Sequence, residues 1–190
     1  MQLYASDNGG FVPRDHTPWR PDRRPYWMVQ AGAYLKDTED WESARTNFPL
    51  SERLLQDTEL FHCPEHPLAG EVPGTYVINA FRFESKPDWN PDGPVKLAQI
   101  REGGDVVWIG EAADQMRGAS ILLPEFHDAF HPEDLPGGSR ERLTDSRHNN
   151  ATNILFFDSS VRRIARGKLT LPMFDDGIRQ RSTPSVFAGP

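Results

Sequence analysis

The chain has 190 residues, a formal net charge of −7, 37% apolar residues, 17 prolines and 15 glycines. That length supports one domain with a real core, the proline and glycine content points to a loop-rich fold, and the negative charge excludes nucleic-acid phosphate as a partner. A single cysteine, Cys63, excludes an intrachain disulfide, and no run reaches the roughly 18 apolar residues that a bilayer-spanning helix needs.

In chain order, residues 1–13 read MQLYASDNGGFVP. Leu3, Tyr4 and Ala5 suit a last helical turn, and Asp7-Asn8-Gly9-Gly10 is a strong stop signal. Residues 16–25, rich in Pro and Arg, read as an extended surface crossing. Residues 26–35, YWMVQAGAYL, predict a buried helix weakened by Gly32. Residues 36–48 are charged and predict a loop or a short exposed helix. Residues 49–60 place Leu50, Leu54 and Leu55 on one helical face, with Ser51 as an early cap and Glu52 suited to the first turn. Residues 60–67, LFHCPEHP, form a rigid turn. There Cys63 either seeds a metal site or reactive thiol with His62 and His66, or is a small buried apolar residue.

Residues 75–83, TYVINAFRF, predict a strand, and 86–94 a loop carrying Trp89. Residues 95–100 lead into 105–112, DVVWIGEA, a buried strand closing on Glu111. Within 115–142, His127 and His131 are four apart and would share one helix face, as zinc ligands do, with Glu125, Asp128 and Glu133 nearby. The absence of an H-E-x-x-H pattern, together with Pro132, favours a solvated insertion loop instead. Residues 145–164, DSRHNNATNILFFDSSVRRI, predict a β-hairpin. Its first strand covers 153–157, its turn is Asp158-Ser159-Ser160, and its second strand covers 161–164. Residues 169–172 predict an edge strand, 174–177 a turn, and 180–190 a mobile tail. There is no G-x-S-x-G, no phosphate-cradling glycine loop and no CxxC, so no nucleophile–base set emerges.

Arg147, His148, Asn153, Leu155, Phe156 and Asp158 follow an R-H-x4-N-x-L-F-x-D pattern, with His148 ten positions ahead of Asp158. This resembles the His-x9-Asp-Gly element of pseudopilin-like proteins with a prepilin-type leader, with Ser159 where the family has Gly. Tyr4-Ala5, Asp7-Asn8, Gly10 and Pro13 are similar to the segment where the family's long N-terminal helix ends. Phe61, Cys63 and Pro64 resemble its F-x-C-P turn, with Glu65-His66 where a Ser-Asp pair is usual. Tyr76 and Asn79 resemble its S-Y-x-x-N strand, and Lys96, Ile100 and Glu111 its strand that closes on an acid.

The resemblance implies an α+β, pilin-like head over residues 1–190, with an antiparallel sheet packed against an N-terminal helix and 115–142 as an insertion. It implies a non-enzymatic structural or assembly subunit of a secretion or pilus-like envelope system. Its partners would be other pilin-like subunits or envelope secretion components. The head would be extracytoplasmic and anchored in the inner membrane through a helix preceding residue 1, and the present chain would be monomeric or weakly associating. Cys63 would be available to pair with a cysteine of that helix. A structural polar network of Asn79, Glu111, Arg147, His148, Asn153 and Asp158 is expected, with Glu111 paired to Arg147 or His148 and Asp158 accepting backbone N–H groups across its turn. No cofactor is expected beyond calcium, for which Asp145, Asp158, Asp175 and Asp176 supply hard oxygen donors. Two alternatives stand beside this reading. One is a zinc-dependent hydrolase with His127, His131 and His148 as ligands and Glu125 or Glu133 as base. The other is an extracytoplasmic glycan- or peptide-binding domain using Trp19, Trp41 and Trp89.

Overall fold

The structure, a computed structural model, describes residues 2–13, 27–35, 38–81, 96–100, 103–114, 128–129 and 132–174. The fold is α+β. Among the described residues, four short helices, α1 (Gln2–Asp7), α2 (Trp27–Gly32), α3 (Thr38–Ala44) and α4 (Phe48–Asp57), accompany five strands. These are β1 (Tyr76–Asn79), β2 (Val107–Glu111), β3 (Asp128–Ala129), β4 (Ala151–Phe156) and β5 (Val161–Ala165). They form one sheet in the order β3-β1-β2-β4-β5. Pairing is antiparallel among β1, β2, β4 and β5, and the two-residue β3 runs parallel to β1.

Local chemistry explains the helices. α1 ends where Gly9 and Gly10 take φ of 64° and 87°, and the Gly10 N–H closes on the Ala5 carbonyl at 2.7 Å. α4 is capped by Asn47, whose side chain accepts the Leu50 N–H at 3.3 Å, with Pro49 in the first turn. Ser51 is therefore not the cap. It lies inside α4, and its hydroxyl donates to the Ala44 carbonyl at 2.5 Å, which ties α4 to α3. α3 is less exposed than its charge suggests, because Trp41 and Ala44 are buried. Gly32 is the reason Trp41 fits: a Cβ there would stand 2.5 Å from the indole. The glycine that weakens α2 as an isolated helix is what lets α3 pack against it.

Two apolar clusters sandwich the sheet. Trp27, Met28, Trp41, Leu55, Phe61, Ile78, Trp108 and Phe157 fill the helix side. Val77, Phe81, Val107, Leu143, Ile154, Phe156 and Phe174 fill the other. At the outer edge β5 is largely exposed, and the Arg162 guanidinium lies 4.2 Å above the centre of the Phe156 ring. Residues 169–172 do not form an edge strand: Leu171–Phe174 is a 3-10 turn that plugs Phe174 into the second cluster. Nor is all of 115–142 a solvated insertion. Asp134 is fully buried, held by Arg142 at 3.3 Å and Arg140 at 2.9 Å, and its carbonyl accepts the Arg142 N–H.

Candidate functional site

Strict alternation along β2 would put Val107, Ile109 and Glu111 on one face. The ladder to β4 instead shifts register between Val107 and Ile109, which is a β-bulge. Val107 faces the second cluster, whereas Trp108 and Ile109 both pack on the helix side. Gly110 then faces Leu143, which a Cβ would meet at 2.5 Å, and Glu111 emerges on the helix side opposite Tyr76. One extra residue thus carries a carboxylate from one face of the sheet to the other.

Two further segments converge on that carboxylate. Cys63 follows the 3-10 turn Glu59–Phe61, and its N–H donates to the Thr75 hydroxyl at 2.5 Å. His148 precedes β4, where Asn149 and Asn150 take left-handed φ of 52° and 57°. The His148 N–H reaches the Ala151 carbonyl at 3.1 Å, and its own carbonyl accepts from Arg163 at 2.6 Å. His148 Nε2 lies 2.7 Å from Glu111 Oε1 and 3.4 Å from Cys63 Sγ, and Nδ1 lies 2.9 Å from Glu65 Oε1.

Glu111 is 2% exposed, so its charge needs compensation. It accepts from Thr152 Oγ1 at 3.2 Å and Asn153 Nδ2 at 3.3 Å, with Arg147 Nη1 at 3.8 Å. Arg147 also donates to the Ala112 carbonyl and to Asp114. Burial works against the His148 imidazolium, but the Glu65 hydrogen bond and the Glu111 charge outweigh it and hold its pKa above the ordinary value. Burial pushes the Cys63 thiol up. It also pushes the Tyr76 phenol up to about 12, with the charges of Cys63 and Glu111 adding.

The cluster lies at the floor of an open groove of about 650 Å³ whose walls include Tyr4, Trp27, Trp108, Ile109 and Leu155. Leu3, Leu60 and Val161 line it as well, each about two-thirds exposed. Sulfur, imidazole and carboxylate in line have the connectivity of a nucleophile, a base and an orienting group. The thiol is nevertheless poorly suited to attack. It is 1% exposed, its pKa is raised, and Glu111 sits closer to Nε2 than the sulfur does.

The six residues expected in one network separate into three places. Glu111, Arg147, His148 and Asn153 come together. Asn79 is on the opposite side of the sheet, donating to the Val107 carbonyl at 2.8 Å and the Phe174 carbonyl at 3.0 Å while accepting from the Phe81 N–H. Asp158 is at the far turn of the hairpin, where it accepts the Ser160 N–H at 2.8 Å. Of the four calcium candidates, the two described ones lie apart. Asp145 accepts the Gly167 N–H beyond the open end of the hairpin and Asp158 sits at its turn, so they cannot share an ion. Asp175 and Asp176 lie outside the described residues.

Cys63 does not group with the histidines that flank it, His62 and His66. His62 Nε2 reaches the Leu55 carbonyl, and His66 Nδ1 accepts the Leu68 N–H. Glu125, His127 and His131 lie outside the described residues. Glu133 is exposed beside Arg140 at 3.7 Å. Trp41 is buried against Phe61, ring centres 5.9 Å apart, and cannot serve as an exposed ligand platform; Trp19 and Trp89 lie outside the described residues. Sequence reasoning missed Glu65, Thr152 and Tyr76 as neighbours of the site. Only Glu65 left a signal, as an acid two positions after the cysteine in one tight turn. No protein-family model matches this chain, and neither the curated proteins nor the solved structures contain a match.

Proposed function

We propose that the chain is the globular head of a pseudopilin-like subunit, a non-enzymatic component of a secretion or pilus-like envelope assembly. The observation that carries this reading is the placement of α1. It stops at a glycine pair, buries Tyr4 and Ala5, and bonds Tyr4 Oη to Gln30 Oε1 of α2 at 2.6 Å, while Leu3 stays 70% exposed. A short helix held against α2 through Tyr4, together with an antiparallel sheet whose last hairpin bears the R-H…F-x-D pattern, supports this reading. Partners in this reading are other pilin-like subunits or envelope secretion components, reached outside the cytoplasm by a head anchored through a preceding apolar helix.

Cross-linking in the native host, followed by membrane fractionation, tests the proposal. The natural gene product should fractionate with the envelope and cross-link to other pilin-like subunits. Recovery entirely in the cytosol, without such partners, would overturn it. In the same reading the chain alone should be monomeric or weakly associating by light scattering, and a multi-megadalton polymer would contradict it.

A further inference from the structure

We propose that Cys63, Glu111 and His148 form a binding site for a zinc-type divalent ion, with its remaining coordination position turned toward the groove. One donor atom from each residue lies within 4.8 Å of the others. Zinc holds sulfur at about 2.3 Å and nitrogen at about 2.0–2.1 Å, which in tetrahedral geometry places the two donors roughly 3.5 Å apart. Cys63 Sγ and His148 Nε2 are 3.4 Å apart. The 2.7 Å separation of Nε2 and Glu111 Oε1 is that of a hydrogen bond. It opens by roughly 0.7 Å when the ion takes the place of the hydrogen bond.

The surroundings are those of a ligand set already oriented. Glu65 Oε1 holds Nδ1 at 2.9 Å, which fixes the ring and leaves Nε2 aimed at the other two donors, the carboxylate–histidine–metal arrangement. Thr152 and Asn153 hold the Glu111 carboxylate. The facing charges also suit a dication. With the thiol ionised, Cys63, Glu111, Glu65 and Asp114 carry four negative charges against two from Arg147 and Arg163, leaving an excess that a divalent ion offsets. A thiolate and an imidazole in the set select a transition metal over calcium, which takes oxygen donors alone. The three ligands come from the turn after Phe61, the end of β2 and the loop before β4, so the ion would staple three chain segments beneath the groove. This inference stands apart from the pseudopilin reading, and either can fail without the other.

The test is titration of chelator-treated protein with cobalt(II), followed by displacement with zinc. The expected result is one equivalent bound, with the intense visible bands of a tetrahedral site and a thiolate-to-cobalt charge-transfer band. Cys63 is the chain's single cysteine, so that band in the unaltered protein assigns the sulfur ligand without any variant. Cys63→Ser should remove the band and weaken zinc binding at least tenfold. Glu65→Gln should keep the band and weaken binding about tenfold, as loss of a hydrogen-bonded partner of a metal-bound histidine does. No stoichiometric binding, binding without the charge-transfer band, or a band that survives both His148→Ala and Glu111→Gln would each overturn the proposal.

Discussion

The two ends of the β4–β5 hairpin use similar residues under opposite conditions. At the open end, His148 and Arg147 meet Glu111, which is 2% exposed and comes from a strand more than 30 positions earlier. At the turn, Asp158 binds a residue two positions on, and Arg162 approaches it at 3.7 Å in water. The first end is a buried charge cluster whose members are costly to leave alone. The second is a local Asx turn that solvent can replace. Polar residues in one motif therefore carry very different weight, and burial sets the difference.

The largest expected effect comes from deleting the shared carboxylate. Glu111→Ala strands buried cationic partners and should cost about 3–5 kcal/mol in denaturant unfolding. Asp158→Ala should cost far less, and equal losses would erase the contrast between the two ends. Asn79→Ala should cost about 2 kcal/mol, because two buried carbonyls lose their donor. A double-mutant cycle then sharpens the comparison. Glu111 and Asn79 occupy opposite sides of the sheet, so their losses should add within about 0.5 kcal/mol. Glu111 and His148 should couple by about 1 kcal/mol or more. Strong coupling between Glu111 and Asn79 would restore a single network.

Ser159 holds a left-handed φ of 70° in the exposed turn. Ser159→Gly should stabilise the fold by up to about 1 kcal/mol, because relief of the left-handed conformation outweighs the added entropy of the unfolded chain. A loss in thermal unfolding would mean that the serine side chain matters more than its backbone.

The smallest effects are in pH dependence, and the two ends should respond in opposite directions. Tyr76 has a folded pKa raised to about 12, so its neutral form belongs to the folded state. Its contribution is whole below pH 10 and fades as pH rises from there through about 12. Tyr76→Phe should flatten the alkaline limb of the stability profile. Hydrogen bonds from Ser160 hold Asp158 below its ordinary value, so its contribution is present above that value and is lost as pH falls through the folded pKa. Asp158→Asn should flatten the acid limb slightly, since the group is exposed.

Much of the fold was legible because its signals are local. Gly9-Gly10 ends α1, the apolar run and turn residues of 151–165 make the hairpin, and leucine spacing marks α4. The misreadings came where a neighbour distant in sequence takes over. Ser51 reads as a cap until Ala44 claims its hydroxyl, and residues 169–172 read as a strand until Phe174 packs into the second cluster and its carbonyl accepts from Asn79.

By itself the sequence determined the α+β pattern, the helix stop and the hairpin, because turn chemistry and side-chain periodicity act over a few residues. The tertiary structure alone decided which polar residues meet. The bulge between Val107 and Ile109 sets the face on which Glu111 emerges, and packing brings Cys63 within 3.4 Å of a histidine 85 positions away. No local pattern encodes such a contact, because a one-residue change of register reverses a strand's faces and the core on each side selects between them.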